Sequence, residues 1–285
     1  ATHNNPLIPN DTRTLISKRY KAITKAINKA FWNSESDSSH SRYVGSYGRG
    51  TATDTSDLDV LVELPNDEYE HFTSLNGNGP SRLLQAVKDS ILELYPRTDI
   101  SADGQVVVVK FSDGMKFEVL PAFQKLNYWG EWTGTYIYPD THMGGNWMTT
   151  NPIAEQDAMK HKNAENESNG LLFDTCKHIR YVHTNNYSSY HLLGILIDSF
   201  VYAAIKGWHW HREGDASNSQ GEGSYEKALL DYYNSFVYPE ICPPRIQAPG
   251  SGVALDTTDW ETLGKVLTMV ITGMIFTFGL TGCLS

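Results

Sequence analysis

Asp57 and Asp59 stand either side of Leu58 at the head of an apolar run, Val60-Leu61-Val62, with Leu64 beyond Glu63. A β-branched apolar run of this kind reads as a buried strand. Side chains alternate along a strand, so both carboxylates face one way and Leu58 faces the other. That spacing sets them roughly 6–7 Å apart. Like charges so close raise each other's pKa unless a cation lies between them. Hard divalent ions such as Mg2+ take carboxylate oxygens together with substrate phosphates. Upstream, across a run of small, polar and glycine-rich positions, lies Gly45-Ser46. A turn there offers free backbone N–H groups and a hydroxyl, the fittings of a phosphate site. Gly45–Leu64 therefore reads as a phosphate cradle beside a two-metal carboxylate site. Asp-x-Asp alone is a common solvated loop, and a lone Gly-Ser carries nothing. The weight rests on their combination with a strand behind them.

A two-metal site needs one more acid, to hold the ion that activates the attacking hydroxyl. Glu118, in KFEVLPAF, is the candidate. Gln105–Phe111 reads as a strand, Ser112-Asp113-Gly114 as a turn, and Met115–Val119 as the returning strand, closed by Pro121. A glutamate on a strand face means little by itself, and Glu118 gains its meaning from the first motif. The arrangement works only if the three acids face one another with no lysine or arginine filling the gap between them.

GSYGRGTATDTSDLDVLVEL resembles the signature of the DNA polymerase β-type nucleotidyltransferase superfamily. Within it, the stretch resembles the bacterial cGAS/DncV-like nucleotidyltransferases, relatives of cyclic GMP-AMP synthase and 2′-5′-oligoadenylate synthetase. In that family the third acid lies three residues before a Pro-Ala pair, as Glu118 lies before Pro121-Ala122. The family usually has Asp there, one methylene shorter. Arg180-Tyr181-Val182 resembles a Lys-Tyr-Trp segment whose lysine contacts the donor triphosphate, and Lys177, one turn earlier, is a rival for that contact. Ser189-Tyr190-His191 matches a Ser-Tyr-His in the animal cyclic GMP-AMP synthase, where the serine contacts phosphate and the tyrosine stacks on a base. On residue type alone, Ser189 is a helix cap and Tyr190 a half-buried aromatic.

The resemblance implies a cyclic oligonucleotide synthase. Asp57, Asp59 and Glu118 would hold two Mg2+ ions, with Mn2+ as a substitute, and would be the catalytic residues. Gly45, Ser46, Arg180, Ser189 and Tyr190 would bind substrate. Two nucleoside triphosphates would be joined and closed into a cyclic di- or trinucleotide, a second messenger in antiphage defence, under a regulatory partner protein whose identity the sequence leaves open. The alternatives are another polymerase β-type transferase, acting on a small molecule, a tRNA end or a protein, and a non-catalytic nucleotide-binding module. The intact acid set argues against the last.

These groups need elements to position them. Asp11 or Thr12 is expected to cap a helix running to Phe31–Trp32, and Asn33–Ser41 reads as a loop. Asn66–Pro80 reads as a polar connection. A helix follows from Ser81 to Tyr95, with Leu83, Leu84, Val87, Ile91 and Leu94 as its stripe. Tyr128–Asn151 reads as a loop, and Asn151-Pro152 opens a helix. Further helices are expected over Leu171–His183, from Ser188 or Ser189 through Lys206, and over Tyr225–Val237. Between the last two, Gly207–Ser224 reads as a flexible surface insertion, where the pair His209 and His211 lacks further metal ligands nearby. Cys242-Pro243-Pro244 marks a break. Val266–Ser285 carries no charge, but its Thr and Gly content favours a buried terminal helix over a membrane span. The expected fold is α+β. Residues 1–150 form a nucleotidyltransferase sheet lobe with an N-terminal helix, and 151–285 a helical lobe closing the nucleotide cleft.

The 285 residues suffice for two such lobes. The net charge of −10 argues against binding duplex nucleic acid, which rests on neutralising phosphates. Cys176, Cys242 and Cys283 are odd in number and widely spaced, with no disulfide or zinc pattern. ATHNNPLIPNDTR carries no apolar run of the signal-peptide kind. Together these favour a cytoplasmic location.

Overall fold

The computed structural model describes residues 8–53, 57–212, 224–237 and 245–279, the side chains of 103, 224, 237 and 271–279 left aside. Cys242, Cys283, Ser285, the Cys242-Pro243-Pro244 break and most of the Gly207–Ser224 stretch lie outside the described residues. The chain divides into two compact units. One comprises Ile8–Gly48 and Asp54–Ile153, the other Arg49–Thr53 and the chain from Ala154 onward.

The first unit is a sheet with helices on one face. Its strands are β1 (Ser41–Tyr43), β2 (Leu58–Glu63), β3 (Asp99–Asp103), β4 (Val106–Lys110), β5 (Lys116–Leu126), β6 (Trp132–Asp140) and β7 (Asn146–Thr150). They run in the order β1-β2-β5-β4-β3, and β6 pairs with the far end of β5 and with β7. Only β2 and β5 are parallel. Alternation sorts their side chains cleanly. Leu58, Val60 and Val62 on β2, with Phe117 and Val119 on β5, join one buried cluster. That cluster packs against helices α1 (Asn10–Phe31) and α4 (Gly79–Leu94) through Ile16, Ile23, Ile27, Leu83, Leu84, Val87 and Ile91. The opposite face begins with Asp57, Asp59, Lys116 and Glu118 and turns apolar further along, where Leu61 and Ala122 pack with Val44 and Tyr136.

Several expectations need correction. The start of α1 takes no side-chain cap, and Pro9 holds the N-cap position. Asn66–Pro80 contains a helix, α3 (Asn66–Ser74), whose acidic first turn of Asp67 and Glu68 suits the positive end of the helix dipole. Tyr128–Asn151 is not a loop but carries β6 and β7. Pro121 does not close β5 either. It sits where β5 exchanges neighbours, with Val119 the last residue paired to β4 and Phe123 the first paired to β6. A proline's missing N–H costs no ladder bond in such a gap.

The second unit is helical: α5 (Pro152–Asn163), α6 (Leu171–Asn186), α7 (Gly194–Ala204), α8 (Ser224–Val237) and α9 (Trp260–Gly279). Its core joins Leu172, Cys176, Ile179, Leu196, Phe200, Leu263 and Val266. In α9, Val266, Leu267 and Val270 are buried in that core, and no helix among the described residues is long and apolar enough to cross a membrane. The helix expected from Ser188 or Ser189 begins later, at Gly194. Asp259 accepts the N–H of Leu193 at 3.0 Å and pairs with His191 Nδ1 at 2.9 Å, which fastens the extended leg before α7.

Phe117 is fully buried at the centre of the larger sheet cluster. Phe117→Ala is expected to destabilise the sheet unit by about 3–5 kcal/mol, read from its denaturant unfolding transition.

Candidate active site

Asp59 lies on the central strand β2, directly across from Glu118 on β5 in parallel register. Neighbours at one level of a sheet point to the same side, so the two carboxylates share a face. Asp57 precedes β2 on the same face, level with Lys116. Beside them the chain leaves β1 with Val44 N–H bonded to the Asp59 carbonyl at 2.9 Å. It then enters a single helical turn, α2 (Gly45–Gly48), rather than an open Gly-Ser turn. Gly45 has φ +57°. A Cβ placed there would fall 1.8 Å from Asp59 Oδ2, so only glycine allows the carboxylate and this turn to be neighbours. Ser46 is buried next to it. Gly45, Asp59 and Glu118 line one cavity of about 220 Å3, with Gln105, Tyr138 and Thr150 among its other walls.

The sequence reading missed Lys116. Its ammonium bridges Asp57 Oδ2 at 2.8 Å and Glu118 Oε1 at 2.6 Å. Burial works against the lysine's charge, but the two carboxylates more than offset it and hold its pKa above the ordinary value. The gap expected to be free of basic groups therefore contains one. Strand alternation was the available signal, because Lys116 is two residues before Glu118 and must share its face. Among the described residues, no three carboxylate, imidazole or thiol groups close around one point. The cluster instead closes around the ammonium, a monovalent stand-in held by two of the three acids. An all-carboxylate donor set around a cation suits a hard divalent ion. The lysine pairs are partly exposed, and exposed pairs contribute only about 0–1 kcal/mol. The condition set by the sequence is thus met only in part: the residue types suit such an ion and Asp59 faces Glu118, but Lys116 occupies the gap between Asp57 and Glu118.

The remaining predicted binders belong to the helical unit. Arg180 is not presented outward. Its Nη2 donates to Asp198 Oδ1 at 2.8 Å, to the Gly194 carbonyl at 2.7 Å and to Thr51 Oγ1 at 3.4 Å. Those bonds serve a buried carboxylate. Lys177, one turn earlier, is partly exposed. Ser189 lies in the turn after α6 and is exposed, so it caps no helix. Tyr190 is half exposed, with the Lys265 ammonium 4.9 Å from its ring centroid and Tyr187 against its edge.

Asp198 is the second group the sequence reading missed. It is fully buried on α7 and also accepts from Arg49 Nε at 2.8 Å and Thr51 Oγ1 at 2.9 Å. Burial alone would raise its pKa, but Arg180 and Arg49 outweigh that and hold it below the usual carboxylate range. An aspartate inside the apolar run Gly194–Ala204 was the signal in the sequence.

A family model described as the Second Messenger Oligonucleotide or Dinucleotide Synthetase domain matches residues 3–163. No protein in the curated set matches the chain in sequence. Solved structures do match in fold. A STING-associated CdnE c-di-GMP synthase from Capnocytophaga granulosa superposes with TM-score 0.66 at 11% identity, over 96% of this chain and 85% of that one. The Bradyrhizobium diazoefficiens CD-NTase CdnG, solved with GTP, gives 0.63 at 12%, over 96% and 88%. A CdnC:HORMA complex from E. coli gives 0.52 at 14% identity, over 94% and 84%.

Gly45→Ala forces a left-handed alanine and drives its methyl into the Asp59 carboxylate. A destabilisation of about 1–3 kcal/mol is expected from denaturant unfolding of the purified variant.

Proposed function

The chain belongs to the family of second messenger oligonucleotide or dinucleotide synthetases and is a nucleotidyltransferase, and on that footing we propose how its residues carry the reaction. The observation that carries the reading is the register pair Asp59 and Glu118, facing one cavity with Gly45 packed on Asp59. Asp57, Asp59 and Glu118 hold divalent ions, Mg2+ with Mn2+ as a substitute. When bound, such ions neutralise a triphosphate and lower the pKa of an attacking ribose hydroxyl. Gly45 and Ser46 present backbone N–H groups and a hydroxyl to the phosphates, and the close approach that glycine permits brings them beside the carboxylates. Ser189 adds a phosphate contact, and Tyr190, half exposed, stacks on a base. Arg180, which also bonds Asp198, adds a phosphate contact, with Lys177 one turn earlier as its rival for that role. Lys116 balances charge on the acid face and yields Asp57 and Glu118 to the ions.

The product on this reading is a cyclic di- or trinucleotide that signals in antiphage defence within the cytoplasm. The relatives solved as a c-di-GMP synthase and with GTP support nucleoside triphosphate substrates, and the HORMA complex supports a regulatory protein partner. A polymerase β-type transferase with a separate acceptor would need that acceptor added. Mass spectrometry of products from the four ribonucleoside triphosphates with Mg2+ alone therefore tests the assignment. A cyclic product supports it, and unchanged triphosphates overturn it.

Asp57→Asn with Asp59→Asn is expected to cut product formation at least about a thousandfold while circular dichroism stays at the parent's. Lys116→Met removes the competing ammonium, so Mn2+ titrated by electron paramagnetic resonance should bind several-fold more tightly. Equal or weaker binding would assign the lysine another role.

A further inference from the structure

We propose that Asp198 is a positioning residue for the segment Arg49–Thr53 and, along the chain, for Ser46 and Asp57 on either side of it, acting through Arg49 and Thr51. The inference rests on the reading of Ser46 and Asp57 as phosphate and metal groups.

Arg49–Thr53 packs with the helical unit, while Gly45–Gly48 before it and Asp57 after it belong to the sheet unit. The Asp198 carboxylate ties the segment there at two points. Asp198 Oδ2 accepts from both Arg49 Nε and Thr51 Oγ1, and Oδ1 accepts from Arg180. Arg49 Nη1 also lies 3.5 Å from Glu155, which places two carboxylates against two guanidinium groups. Gly50, at φ +80°, lays the backbone so close to Phe173 that a Cβ would fall 2.5 Å from its ring. The segment is thus fixed by one polar cluster and one close approach.

Such a cluster is a poor device for stability alone. Burying ionised groups is costly, and apolar replacements of similar volume are often as stable or more so. What a buried set of paired donors and acceptors supplies is a defined path for the chain it holds. That path matters here because the tethers are short. Ser46 lies three residues before Arg49, and Asp57 four residues after Thr53. At roughly 3.3–3.6 Å per extended residue, the two tethers reach at most about 11 and 14 Å. A shift of Arg49–Thr53 is therefore passed along the covalent chain to the Ser46 hydroxyl and to the Asp57 carboxylate.

Two variants test this in the full chain. Thr51→Val removes the hydroxyl's bonds to Asp198 and Arg180 and leaves both arginine pairs to Asp198, and Asp198→Asn keeps shape while removing the charge. Amide hydrogen exchange is followed over 46–57 and over α6 and α7, and Mn2+ affinity is measured by electron paramagnetic resonance. For Thr51→Val the expected result is exchange raised about tenfold or more in 46–57 only, with Mn2+ bound several-fold more weakly and Thr51→Ser restoring both. Asp198→Asn should show the larger effect, and if it fails to fold, Thr51→Val decides. Where product is formed, kcat should fall more than KM rises. Unchanged exchange in 46–57, or an equal rise across α6 and α7, overturns the proposal. If the parent forms no product from nucleoside triphosphates, the functional reading fails on its own, and the exchange measurement still decides the role of Asp198.

Discussion

Negative charge crowded onto one face of two parallel strands is the constraint from which the rest of the sheet unit follows. At about 4 Å, two unit charges near a protein surface interact with roughly 4 kcal/mol, so carboxylates placed in register demand a positive neighbour. The fold accepts this because the other face of the same strands is wholly apolar. Leu58, Val60, Val62, Phe117 and Val119 bury themselves against α1 and α4, and that burial fixes the register. A slip of one residue would turn those side chains out and the acids in. The core thus places Asp59 opposite Glu118 through the packing of the other face.

The helical unit solves the inverse problem. There one carboxylate, Asp198, is surrounded by apolar helix and satisfied by two arginines and a threonine. In the sheet unit acids gather around one ammonium, while here cations gather on an acid. Both clusters lie next to the same short stretch of sequence, Gly45 to Asp59.

The sequence showed the parts whose physics is local. Alternation along β2 and β5 revealed the shared face of the acids, and helical spacing revealed the buried stripe of α4. It was weaker where a partner far along the chain decides. β6 and β7 looked like loop because glycines and polar residues interrupt them, yet each pairs with a neighbouring strand. Arg180 looked like a phosphate ligand, and nothing in its own segment showed the carboxylate it also bonds. Ser189 looked like a cap because nothing local betrayed Asp259, which fastens the chain four residues later at Leu193. Lys116 was legible by alternation alone.

The parallel pairing of β2 with β5 also sets an order of assembly. Asp59 and Glu118 meet only after the chain has closed over everything between them, including α3, α4 and the β3–β4 hairpin. The antiparallel pairs β3–β4 and β4–β5 join near neighbours in sequence and close small loops, whereas β2 must dock across a long one at greater entropic cost. Mutual repulsion of the acids thus enters late, once a formed hydrophobic layer is there to absorb it. A nascent chain carries its reactive face unassembled until most of the sheet already stands.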